Sequence, residues 1–142
     1  VKLRAAILAD AELLLAWRND AETRANSLQH DLVPWEPHVT WLAALLADPA
    51  RELLIAESEG VPIGTVRFDR GEDDTLLSWT VAPCQRGRGL GRAMVQRAIE
   101  RVPESRLRAE IAESNTRSIS IARKARFRLS EVIGDMTVWR RP

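Results

Sequence analysis

The chain has 142 residues, 45% apolar and 29% charged, which fits one folded domain over residues 1–142 and excludes wholesale disorder. No apolar run approaches the roughly 20 residues of a membrane span, Val1 to Asp20 carries no cleavage pattern, and one cysteine, Cys84, excludes an internal disulfide framework and fits a reducing cytoplasm. The net charge of +1 argues against a nucleic-acid partner, yet residues 1–74 hold 7 Lys+Arg against 14 Asp+Glu and residues 75–142 hold 14 against 6, so an anionic ligand is expected on the C-terminal half.

Lys2 to Ile7 reads as a first strand. Asp10 can cap a helix whose apolar face is Leu13, Leu14 and Trp17. Asn19-Asp20 interrupts it, Ala21 to Ala25 gives a further turn, and Ser27 to Val33 reads as loop. Pro37 suits the first position of a second helix, with Glu36 before it and a stripe of Val39, Leu42, Leu45 and Leu46. The period then changes. Glu52–Ser58, Pro62–Asp69 and Thr75–Val81 read as three strands of an antiparallel meander, the first two joined by Glu59-Gly60. Pro83 ends the third strand, and a glycine-rich loop leads into a helix over Gly89–Val102. Arg106–Ala112 is a strand, Asn115 caps a helix to Ala125, and Phe127–Ile133 with Met136–Arg140 form a closing hairpin around Gly134-Asp135. This order predicts an α/β fold with one mixed, largely antiparallel central sheet flanked by helices on both faces. Two histidines and one cysteine predict no structural metal site.

The most informative segment is Val81-Ala82-Pro83-Cys84-Gln85-Arg86-Gly87-Arg88-Gly89-Leu90-Gly91-Arg92. A strand ends, glycines open a tight turn, and a helix begins. Such a loop gathers backbone N–H groups into one concavity at the positive end of a helix, which suits a pyrophosphate. It lacks the Gly-Lys-Ser/Thr of a Walker loop, and Gly87-x-Gly89-x-Gly91 is one residue short of the dinucleotide fingerprint. The plainer alternative is a turn needed only for chain reversal.

Arg86-x-x-Gly89-x-Gly91 resembles the Q/R-x-x-G-x-G/A signature of the GCN5-related N-acetyltransferases. Downstream, the segment from Asn115 to Phe127 resembles the family's run of Asn, small residue, helix and Lys-x-Gly-Phe, with Arg126 where the family has glycine. The resemblance implies the acyl-CoA N-acyltransferase fold and acetyl-CoA as cofactor. The pyrophosphate would sit on the amides of Arg86, Gly87, Arg88, Gly89, Leu90, Gly91 and Arg92. Pantetheine would enter a gap beyond Val81 and pair with backbone near Thr80 and Val81. Asn115 and Ser118 would contact pantetheine or phosphate, and Arg88, Arg92, Arg123 and Lys124 are candidates for the phosphate charges. A homodimer through the Phe127–Arg140 hairpin is also implied.

The implied reaction is direct transfer of an acetyl group to a neutral primary amine, so a base or water chain is needed, with backbone N–H near Val81 holding the developing oxyanion. Many family members place an acidic tyrosine at the position of Ala122, but this chain contains no tyrosine. Water, Ser118, Ser120 or Cys84 could take that role, or the thiolate could leave unaided. Glu36 and His38 are the candidate bases, with Asp69, Asp73 and Asp74 as alternatives.

Trp17-Arg18-Asn19-Asp20, Arg24 and Trp35-Glu36-Pro37-His38-Val39-Thr40-Trp41 resemble family branches that acetylate nucleotide-linked 4-amino sugars or ribosomal-protein N-termini. Trp35 or Trp17 could stack on a sugar or base while Arg18 and Arg24 meet a diphosphate, with Asn19 beside them. Three readings stay open: acetylation of a small-molecule amine, acetylation of a protein N-terminus or lysine, and a non-catalytic acyl-CoA-binding module.

Overall fold

The computed structural model describes residues 1–27, 30–103 and 105–142. Among them are seven strands in the order β1-β2-β3-β4-β5-β7-β6 and five α-helices. They are β1 (Lys2–Ala5), α1 (Ala11–Arg18), α2 (Ala21–Ala25), α3 (Trp35–Ala47), β2 (Arg51–Ser58), β3 (Val61–Arg70), β4 (Thr75–Val81), α4 (Leu90–Arg101), β5 (Leu107–Ala112), α5 (Thr116–Lys124), β6 (Arg128–Ile133) and β7 (Met136–Arg141). All neighbouring strands are antiparallel except β4 and β5. Part of the expected Ser27–Val33 loop lies outside the described residues.

Alternation along β2 divides the interior in two. Leu54 and Ala56 join Val66, Phe68, Met94, Val95 and Ala98 in a core under α4 and α5. Leu53 and Ile55 point the other way, to Leu14, Trp17, Leu42 and Leu45 of α1 and α3. Residues on both faces of β2 are therefore buried, as expected of an inner strand covered twice. Glu59 (φ 52°) and Gly60 (φ 78°) both take left-handed conformations, the requirement of the two-residue hairpin turn expected there.

Two expectations at helix ends are corrected. Helix α3 begins at Trp35, two residues before Pro37; proline is tolerated within the first turn because those N–H groups have no partner inside the helix. Asp10 precedes α1 but gives it no side-chain cap. Its carboxylate instead accepts from the Ile7 N–H at 2.8 Å and from Arg4 at 2.9 Å through both guanidinium Nη atoms, and the Arg4 pair holds its pKa below the usual aspartate value.

The C-terminus of α5 keeps the turn that Arg126 put in question. Arg126 stands at φ 70°, its N–H donates to the Arg123 carbonyl at 3.0 Å, and the Phe127 N–H donates to the Ala122 carbonyl at 2.9 Å. This is a Schellman closure, formed here with an L side chain at a strain of about 1 kcal/mol.

Candidate active site

Strands β4 and β5 pair only at Thr75–Leu107 and Leu76–Arg108. Beyond Leu76 they part. The β3–β4 register and the bond from the Ala82 N–H to the Ile63 carbonyl place the backbone groups of Ser78 and Thr80 toward β3, so by alternation those of Trp79 and Val81 face the gap. Of the expected backbone pair, Val81 thus faces the gap, with Trp79, whereas the backbone of Thr80 faces β3. Thr80 lines both cavities described below.

On one side of the gap lies a cleft of about 650 Å³, walled by Val81, Arg86, Gly87, Gly89 to Arg92, Asn115 to Ser118 and Lys124, among others. Gly87 (φ 78°) and Gly89 (φ 73°) occupy the left-handed region. Gly89 is the N-cap of α4 and makes no side-chain cap bond, which leaves the first helical amides, Leu90, Gly91 and Arg92, without intrahelical partners. Gly91 lies flush with its neighbours: a Cβ there would stand 2.7 Å from Ile121 Cδ1 and 3.0 Å from Val81 Cγ2. Asn115 caps α5 by accepting from the Ser118 N–H at 3.3 Å. The loop, the open backbone edge and the uncapped helix start fit a pyrophosphate with an extended amide-bearing arm.

Of the four cations expected at the phosphates, Arg88 and Arg123 are engaged elsewhere. The Arg86 side chain turns away to α2, donating to Asp20 at 2.7 Å and Thr23 at 3.0 Å and pairing with Glu22 at 2.8 Å. That pairing lowers the Asp20 pKa. Arg88 donates to Gln85 at 2.6 Å and its side chain is absent from the cleft wall, while Arg123 stacks 5.3 Å over the Trp139 ring. Arg92, Arg117 and Lys124 remain as the cations of the wall.

The second cavity, about 520 Å³, is lined by Trp17, Arg18, Trp41, Arg67, Ser78 and Glu110, among others. Thr23, Asn26, Trp79, Thr80, Asn115 and Ser118 line both spaces, so the two meet where β4 and β5 part. The Trp79 indole N–H is buried there without a hydrogen-bond partner. Sequence reasoning missed Trp79 and Glu110. Alternation along β5 could have shown Glu110 on the opposite face from Ala109 and Ile111.

Several sequence candidates fall elsewhere. Asn19 donates to the Val33 carbonyl at 2.9 Å and accepts from its N–H at 2.7 Å, a staple between chain segments that uses both the nitrogen and the oxygen of its amide. Arg24 donates to the carbonyls of Asn19 and His30. Trp35 is 49% exposed, and neither it nor the exposed Glu36 lines either cavity. His38 is 0% exposed. Its Nδ1 accepts from Arg18 at 3.3 Å, which makes Nε2 the protonated nitrogen that donates to the Ala11 carbonyl at 2.8 Å. With its lone pair taken, His38 has the geometry of a positioning residue for Arg18, not of a base. Asp69 is held by Arg51 and Arg67, and Asp74 by Arg108 and Arg140; neither carboxylate, nor Asp73, lines the cavities. Ala122, at the family's tyrosine position, is fully buried.

Burial lowers the His38 pKa below the ordinary 6.5, and Arg18 adds to the effect against the opposing Ala11 bond. The unfolded chain therefore binds a proton that the folded one resists, so this histidine's stabilisation is present above pH 6.5 and is lost as pH falls below it. Melting temperature should decline as pH falls below 6.5, and His38→Asn should flatten that decline at about 1–3 kcal/mol lower stability at neutral pH.

The acetyltransferase (GNAT) domain model matches residues 1–128, and the chain belongs to this family. No curated protein matches it. Among solved structures it is similar to the ribosomal-protein-alanine N-acetyltransferase of Brucella melitensis, at 27% identity over 99% of both chains with TM-score 0.80. An acetyltransferase of Thermus thermophilus aligns with TM-score 0.85 at 24% identity over 99% of this chain and 96% of that one. yncA of Salmonella typhimurium, solved with its cofactor acetyl-CoA, aligns with TM-score 0.79 at 24% identity over 99% and 92%. The chain is an acyltransferase of the GNAT class with acetyl-CoA as its cofactor.

Proposed function

We propose that the chain acetylates the primary amine of a small molecule seated in the cavity beneath α1 and α3, with nucleotide-linked amino sugars as the leading acceptor class. The observation that carries this reading is the parting of β4 from β5, which joins the glycine-loop cleft to a second cavity. When bound, acetyl-CoA supplies an acyl group activated as a thioester. The amides of Leu90, Gly91 and Arg92 bind phosphate, Trp79 and Val81 offer backbone groups to the extended arm, and the Val81 N–H is placed to polarise an acyl carbonyl. Glu110 is the sole carboxylate lining the second cavity among the described residues, so it takes the base role in place of Glu36 and His38. Ser118, at the junction, offers a hydroxyl where the family's tyrosine is missing.

A protein N-terminus is the second reading, favoured by the 27% identity to the Brucella enzyme. The exposed outer strand β6, with Leu129, Val132 and Ile133 bare, supports a homodimer through that hairpin.

Calorimetric titration with acetyl-CoA should give micromolar binding, about 8 kcal/mol. Thiol release should then follow the addition of amino sugars before N-terminal peptides. No heat and no shift in melting temperature would remove the whole reading.

A further inference from the structure

The second cavity has a charge arrangement that its shape alone does not require. Arg18 is half-buried and lines it. Its guanidinium lies 4.2 Å from the Trp41 ring centroid and donates to neutral His38 at 3.3 Å. Neither partner cancels its charge, and among the described residues no carboxylate pairs with it. Arg67 lines the same cavity, but its partner Asp69 is shared with Arg51 at 3.2 Å. One carboxylate therefore serves two guanidinium groups. Burial and the nearby Arg67 charge both weaken the hold of Arg18 on its proton, the signature of a cation without its anion. The remaining charge on the wall is Glu110, across the gap on β5, which lies 3.5 Å from Arg108 Nε on its own strand.

Resting on the reading above, we infer that Arg18, backed by Arg67, holds an oxyanion of the acceptor, so that the amine acetylated belongs to a molecule that also carries a carboxylate or a phosphate. A planar guanidinium fixed on an aromatic face and oriented by a buried imidazole is a preorganised partner for such a group. An ammonium beside Glu110 and an oxyanion beside Arg18 match the two signs of the wall. Acetylation removes the ammonium charge and leaves the oxyanion in place.

Turnover with matched acceptors at saturating acetyl-CoA tests this. One pair is an α-amino acid and its primary amide. The other is an amino-sugar phosphate and the same amino sugar without phosphate. The charged member should have kcat/KM higher by about tenfold or more, the scale of one charge-assisted hydrogen bond. Preference in the first pair alone identifies a carboxylate, and in the second alone a phosphate. Arg18→Gln should bring the ratio near one through KM, Arg18→Lys should keep part of it, and acetyl-CoA affinity should match the wild type in both.

Equal turnover within both pairs, or an Arg18→Gln loss that falls equally on charged and neutral members, overturns the inference. A readout independent of turnover is the melting temperature of the CoA-loaded chain. Inorganic phosphate or acetate should raise it in the wild type and leave Arg18→Gln unchanged; no rise in the wild type also overturns it. Failure to bind acetyl-CoA sinks the underlying reading as well, whereas binding without discrimination sinks this inference alone.

Discussion

Gly89→Trp should abolish acetyl-CoA binding in a chain that still folds, weakening Kd by at least about 100-fold, or roughly 2.7 kcal/mol. The left-handed φ of 73° at Gly89 costs an L residue about 1–2 kcal/mol. A Cβ there would meet nothing within 4 Å, so the indole would stand in the cleft and not in the core. Gly89→Ala separates the two effects, because it imposes the strain with little bulk. Gly91→Ala gives the opposite case, since its methyl would press on Ile121 and Val81 and should lower stability. Calorimetry with acetyl-CoA, beside circular dichroism for the fold, decides the matter. A folded Gly89→Trp protein with wild-type affinity would show that the loop is only a turn.

Glu110→Gln should lower kcat by about 100-fold, the lower range of general-base contributions, while leaving acetyl-CoA affinity unchanged. The exchange keeps size and polarity but removes the acceptor of the amine proton. Glu36→Gln is the control: its side chain is exposed and outside both cavities, so turnover should stay within about twofold of wild type. Full turnover in Glu110→Gln would assign deprotonation to water.

The elements and the glycine loop were legible in the sequence because each rests on local chemistry. Alternation marked β2 to β4, Asn115 marked the start of α5, and Gly87 and Gly89 marked left-handed positions that the structure contains. The acceptor side was much less legible. Glu36 and His38 are two residues apart in sequence, yet a helical turn sends one to solvent and the other into the core. Trp35 and Trp41 lie on the same helix, but only Trp41 reaches the cavity. Glu110 and Arg18 come to one wall through sheet order and helix packing, contacts that no local pattern encodes. Arg123 likewise reads as a partner for phosphate charge until the Trp139 ring, on β7, is seen beneath it.

The divergence of β4 and β5 gives this sheet two kinds of open edge. An outer edge such as β6, whose six residues are all exposed, is open to any passing strand, and Arg128 and Glu131 place charge along it, a common guard against unwanted pairing. The inner edge at Trp79 and Val81 needs no such guard. It faces the gap where β4 and β5 part and the two cavities meet. The chain can therefore keep unpaired peptide groups available for recognition without inviting the strand-to-strand stacking that bare edges otherwise promote.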